Sequence, residues 1–165
     1  MTILFPVLAI LLLSAAAYSD FVERKIRNWK SVALLVCFLA YAALFPQQVN
    51  FVEHFLWSLP VFLVFLGGFI YGKIGGGDVK LATISMVWAG PENGLLFLTI
   101  MAFTGGIIGV ITITPPLKYL WADIQTNIGK NRYLTAHDAM ESVPYGIPIA
   151  IGGSTAVING YLYLI

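Results

Sequence analysis

Residues 3–20 read ILFPVLAILLLSAAAYSD, an apolar run that ends in an acidic side chain. A helix needs about 20 mostly apolar residues to cross the hydrocarbon core of a bilayer, so residues 3–19 predict a membrane span. The run lacks the positively charged start of a signal peptide, because the nearest basic residues follow it. We therefore expect this segment to be a first transmembrane helix rather than a cleaved leader.

The composition extends this prediction to the whole chain. Its 165 residues are 59% hydrophobic and only 10% charged, whereas about a quarter of the residues in a soluble domain are charged. So few charges exclude a soluble enzyme and a nucleic-acid-binding protein. We expect an all-α polytopic membrane protein, with one transmembrane domain over residues 1–165 and six crossings. After residues 3–19, the expected crossings are residues 31–46, 51–71, 79–90, 94–114 and 144–164.

The basic residues test the number of crossings. All nine Lys and Arg side chains fall within residues 20–30, 73–80 and 118–132. With six crossings, these segments are the first, third and fifth connections, which all lie on one side. The positive-inside rule then places them in the cytoplasm and both termini outside. We expect a multi-pass protein of the inner (cytoplasmic) membrane.

Two aspartates are the candidates for chemistry. Asp20 ends the first apolar run, and Asp78 follows Gly75-Gly76-Gly77 at the start of the fourth. The expected topology brings both to the same face. An ionisable group at membrane depth costs roughly 2.5–3.5 kcal/mol on insertion scales, so its presence there indicates a function. Two facing carboxylates can share one proton, so that one activates a water and the other polarises a carbonyl. The structural alternatives are a solvated helix cap for Asp20 and a loosened helix boundary for the glycines.

The residues around both aspartates resemble a known family. Gly75-Gly76-Gly77-Asp78 fits the GxGD motif of intramembrane aspartyl proteases, and the continuation into Val79-Lys80-Leu81 is similar to the type IV prepilin peptidase branch. Asp20 is followed by a basic stretch with Ile26 and Asn28, as in that family's first aspartate motif. Residues 143–150, VPYGIPIA, match the Pro-Tyr-Gly segment that opens its last helix. The three motifs stand in the family's order.

The resemblance implies an aspartic endopeptidase, a hydrolase that works without a metal or another cofactor. Such enzymes remove the basic leader of type IV pilin-like precursors at the cytoplasmic membrane face, so a precursor protein and membrane lipid are the implied partners. The resemblance makes Asp20 and Asp78 the catalytic residues. It places five more residues at the substrate site or in its loops: Gly75, Gly77, Lys80, Tyr145 and Gly146.

This sequence departs from the family pattern in two places. Arg27 stands where the family usually has Pro. The larger members also carry a cytoplasmic insert that binds zinc through paired CxxC motifs, whereas this chain has only Cys37 and a first connection of about ten residues. We therefore expect peptidase activity without N-methyltransferase activity. The compact form is similar to short members that serve tight-adherence (Flp) pilus systems, or to preflagellin peptidases.

A small transporter is the alternative function. It would use Asp20 and Asp78 as proton or cation carriers at a broken-helix site. This alternative accounts for acidic residues beside a glycine-rich break, but not for three ordered motifs. Cleavage of a precursor by the purified protein, without an ion gradient, separates the two functions.

The expected topology can be tested with reporter fusions. We expect a reporter fused after Asn127 to behave as cytoplasmic and one fused after Pro46 to behave as external, because an odd number of crossings separates these two positions. Enzyme reporters that are active on only one side of the membrane measure this directly. Fusions that report the same side would contradict six crossings.

Overall fold

A computed structural model gives the fold of the protein. It describes residues 3–114, 116–117, 119–121, 123–124 and 144–162, with residues 161 and 162 described by their backbone alone. Within these ranges every regular element is helical, so the expected all-α class is confirmed. The helices are α1 (Leu4–Glu23), α2 (Asn28–Leu44), α3 (Phe51–Ile70), α4 (Gly76–Ile113) and α5 (Gly146–Leu162).

The helix lengths fit a membrane protein. Three helices, α1, α3 and α4, are long and apolar enough to cross a bilayer, and α2 is a shorter apolar helix. The 38 residues of α4 would extend about 57 Å if straight, roughly twice the thickness of the hydrocarbon core. The number of crossings and the outside location of the termini stay predictions.

The helix α4 is interrupted at Gly90, which has φ 64° and ψ −169°. From the sequence, two separate helices are expected here, the second beginning at residue 94. The boundary at Gly90 agrees with that expectation, but the second part follows without a connecting loop. Pro91 explains the immediate restart, because its fixed φ suits the first position of a helix and its missing N–H is not needed there.

Contacts along α5 show that the chain turns back at Gly90. Ser85, before the interruption, lies beside Gly153, and Asn93, just after it, accepts a hydrogen bond from Asn159 at 2.7 Å. The first part of α4 therefore advances along α5 in the same direction and runs parallel to it. In the second part, a side chain at Gly105 would lie 3.7 Å from Pro148. The second part therefore runs antiparallel to α5, and α4 is a helical hairpin packed along it.

His54 on α3 stabilises this turn. Pro91 has no N–H to donate to the carbonyl of Val87, four residues earlier. His54 replaces that donor, since its Nδ1 lies 2.7 Å from the Val87 oxygen. The imidazole occupies the space where a side chain at Gly90 would be, and it packs against the Phe38 ring at a centroid distance of 5.4 Å. One side chain from α3 thus completes the hydrogen bonding that the proline removes.

The last helix packs between α1 and the first part of α4. A Cβ on Gly153 would lie 3.1 Å from Leu13 of α1 and 3.3 Å from Ser85 of α4. Seven residues earlier on α5, Gly146 contacts Asp20, which is seven residues later than Leu13. Seven residues are about two helical turns, so α1 and α5 run antiparallel in close contact.

We expect His54→Ala to lower the free energy of unfolding by about 1–3 kcal/mol, because the buried Val87 carbonyl loses its donor. Thermal unfolding in detergent measures the change. Glu53→Gln is the matched control, since Glu53 is an exposed neighbour on α3. Equal melting temperatures for the two variants would contradict the role given to His54.

Candidate active site

Asp20 lies near the end of α1 and is only 6% exposed. Its Oδ2 accepts a hydrogen bond of 2.8 Å from the backbone N–H of Gly146, the first residue of α5. The N–H groups of a first helical turn have no acceptor within the helix and carry a partial positive charge. The start of α5 therefore orients one oxygen of Asp20 and favours its charged form.

This hydrogen bond requires a glycine at position 146. A Cβ there would lie 2.7 Å from the Asp20 Cβ and 2.9 Å from Oδ2, well inside van der Waals contact. Tyr145 precedes it in the turn and packs against the hydrophobic core, after the buried Pro144. Of the two residues predicted at this segment, Gly146 contacts Asp20, and Tyr145 supports the turn that leads to it.

Asp78 occupies the first turn of α4. Its Oδ2 accepts a hydrogen bond of 3.2 Å from the backbone N–H of Gly75, as an acidic residue three positions into a helix often does. A Cβ on Gly75 would lie 2.9 Å from this oxygen. The other oxygen, Oδ1, is buried and has no hydrogen-bond partner among the described residues. Asp78 thus caps its own helix with one oxygen and keeps the other available.

The helix packing brings the two aspartates together. Ser85 is level with Gly153 of α5, and the two helices run parallel at this point. Two turns towards the start of each helix lie Asp78 and Gly146, and Gly146 holds Asp20. The site is the junction of α1, α4 and α5.

The connection after α1 packs against the glycine-rich segment. A Cβ on Gly77 would lie 3.0 Å from the Ile26 Cβ and 3.1 Å from its carbonyl oxygen. Lys80 donates a hydrogen bond of 3.0 Å to Asn28 Oδ1. Gly77 therefore permits close packing within the protein, and Lys80 contacts the start of α2. Approach of a substrate strand at Gly75 and Gly77 stays a prediction.

Arg24 is a residue of the site that the motifs did not indicate. It ends α1 in the left-handed conformation, with φ 51°, and its N–H donates to the Asp20 carbonyl at 3.0 Å. Burial lowers the pKa of the Arg24 guanidinium below its ordinary value, and the nearby Asp20 carboxylate offsets part of this decrease. A positive charge therefore stands beside Asp20. In the sequence, Arg24 follows Asp20 by four residues, about one helical turn, and this spacing could have indicated that the two side chains lie close together.

A polar cavity of about 110 Å³ lies at the other end of the bundle. Glu53, His54, Glu92 and Asn93 are among its lining residues, and neither candidate aspartate belongs to it. Across the described ranges, no group of three His, Cys, Asp or Glu side chains could hold a metal ion.

The fold and the site define a helical membrane protein with two aspartates at the junction of three helices. The model of the type IV leader peptidase family matches residues 7–110. The chain belongs to this family and is a peptidase, which confirms the resemblance to prepilin peptidases. The matched range includes Asp20 and Asp78 and ends before α5. No curated protein and no solved structure matches the chain.

We expect Gly146→Ala to abolish most peptidase activity, because the added methyl group would displace the Asp20 carboxylate. Gly106→Ala is the matched control, as no atom lies within 4 Å of a Cβ at that position of α4. Cleavage assays on equal amounts of membrane-embedded protein compare the two. Full activity in Gly146→Ala would show that the close contact at Asp20 is not needed.

Proposed function

We propose that the protein is an aspartic endopeptidase that removes the basic leader from type IV pilin-like precursors. The family match supports a leader peptidase. The aspartic mechanism is supported by the shared location of Asp20 and Asp78. One observation carries the proposal: the N–H of Gly146 holds Asp20 in place, at the level of Asp78, one of whose carboxyl oxygens has no hydrogen-bond partner in the part of the chain that the structure describes.

The surroundings of the two carboxyl groups favour different roles for them. Asp20 accepts the Gly146 N–H and lies beside the positive Arg24, and both contacts favour a charged carboxylate. Asp78 has a buried oxygen to which no described residue donates a hydrogen bond, and a proton on this carboxyl group avoids the cost of an unpaired charge. Asp20 is therefore the general base, and Asp78 is the acid that carries the shared proton.

The reaction then follows from these roles. Asp20 takes a proton from a water, whose oxygen attacks the carbonyl carbon of the scissile peptide bond. Asp78 gives its proton to the carbonyl oxygen, so the tetrahedral intermediate carries no net charge. When the C–N bond breaks, Asp20 returns its proton to the leaving nitrogen and Asp78 regains one from the collapsing diol. The enzyme ends in the protonation state in which it began.

The charge distribution supports cleavage at the cytoplasmic rim of the membrane. The basic connection after α1 begins at Arg24 and contacts the Gly77 segment through Ile26, so it lies at the same end of the bundle as both aspartates. The positive-inside rule places such a connection in the cytoplasm. A basic precursor leader also stays on that side, which brings its junction with the apolar helix to this depth.

The short first connection supports peptidase activity alone. The helix α1 ends at Glu23 and α2 begins at Asn28, so residues 24–27 join them. This four-residue connection is too short to contain an insert with paired CxxC motifs, and the chain has a single cysteine, Cys37. The same proposal includes the origin of the precursor, which is either a pilin of a tight-adherence (Flp) system or a preflagellin. The transporter alternative receives no support from the family match.

We expect Asp20→Asn and Asp78→Asn each to reduce precursor cleavage by at least about a thousandfold, because each removes one partner of the water-activating pair. Coexpression with a pilin-like precursor and a gel assay for leader removal measure the loss. Both variants should still accumulate in the membrane.

Glu92→Gln provides the control, since Glu92 is an exposed carboxylate beside the cavity at the other end of the bundle. Its cleavage rate should equal that of the unaltered protein. Normal cleavage by Asp20→Asn or Asp78→Asn would reject the aspartic mechanism.

A further inference from the structure

A groove of about 460 Å³ runs between α1 and α5. Ile10, Ser14 and Ala17 line it from α1, and Ala150, Ile151 and Ser154 are among the residues that line it from α5. Ser14 and Ile151 are exposed. In a membrane protein such a surface faces lipid or another helix.

The groove leads to the candidate active site. Its α1 side ends at Ala17, one turn before Asp20, and its α5 side includes Ile147, the residue after Gly146. Gly146 holds Asp20 through its N–H. A molecule lying along the groove would therefore reach the aspartates at its end.

From this geometry we infer that the groove, which we name the α1–α5 groove, binds the apolar helix of the precursor and so positions its scissile bond. The inference rests on the proposed function. The precursor's helix begins directly after the bond to be cut, so a helix in the groove with its N-terminus near Ala17 places that bond at Asp20 and Asp78.

The chemistry of the lining favours a helix over a lipid chain as the occupant. Four of the eight lining residues are small, namely Ser14, Ala17, Ala150 and Ser154. Small side chains let two helix backbones approach closely, which drives helix association in membranes. The Ser14 hydroxyl already donates a hydrogen bond to the Ile10 carbonyl at 2.8 Å. An apolar helix in the groove therefore does not need to provide an acceptor for it.

A second apolar groove, of about 510 Å³, differs from the α1–α5 groove in the helices that line it. It is lined by residues of α4 alone, among them Ala102, Phe103 and Gly106. Neither Asp20 nor Asp78 is among its lining residues. It therefore offers a control surface of similar size and character.

Two substrates separate docking from chemistry. One is the full precursor in membranes, and the other is a short peptide with the leader and the scissile bond but no apolar helix. We expect Ser14→Leu and Ser154→Leu to cleave the full precursor about tenfold more slowly, because the larger side chains prevent close helix packing. Both variants should cleave the short peptide at the unaltered rate, and Ala102→Leu should change neither rate.

Unaltered cleavage of the full precursor by both groove variants would overturn the inference. Equal losses on both substrates would also overturn it, since they would indicate damage to the site. If the unaltered protein cleaves neither substrate, the proposed function itself fails.

Crosslinking identifies the occupant directly. A photoreactive residue replacing Ser14, in the Asp78→Asn protein, should form an adduct with the precursor's apolar helix, and one replacing Ala102 should not. Adducts with lipid alone, or with a second copy of the chain, would overturn the inference.

Discussion

The hydrogen bond between the Gly146 N–H and Asp20 is the contact on which the site depends. It joins residues 126 positions apart and ties the end of α1 to the start of α5. The contact is possible only because Gly146 has no side chain. Without it, Asp20 would be a buried carboxylate with the nearby Arg24 as its counter-charge, and no helix terminus would fix its orientation.

The turn of α4 places the second aspartate. Because the chain reverses at Gly90, both parts of α4 pack along α5, and the first part sets Asp78 at the level of Gly146. Pro91 leaves a carbonyl without its helical donor, and His54 supplies the missing hydrogen bond. A feature at one end of the bundle thus fixes the depth of a carboxylate at the other.

Much of this arrangement follows from local sequence. The apolar runs predict the helices, the position of Asp78 after three glycines predicts a helix start, and the grouped basic residues place both aspartates at one end. The exposed Lys80, predicted at the substrate site or in its loops, donates a hydrogen bond to Asn28. Its partner depends on how the connection after α1 packs, which no pattern in either segment reveals.

The remaining features come from contacts between distant segments. The His54 contact joins residues 33 positions apart, and neither the periodicity of α3 nor that of α4 indicates it. Arg24 adopts a left-handed conformation that is unusual for a residue with a side chain, so its approach to Asp20 was not evident. Gly146 was expected near the site through the family resemblance, but its role as a donor required the packed structure.

Thiol crosslinking can show whether Asp20 and Asp78 occupy one site. In a Cys37→Ser background, Asp20→Cys and Asp78→Cys are combined and treated in membranes with a short bifunctional thiol reagent. An internal crosslink is expected for this pair, and none for Asp20→Cys combined with Glu92→Cys, whose positions lie at opposite ends of the bundle. No crosslink for the first pair, or equal crosslinking of both, would contradict the account.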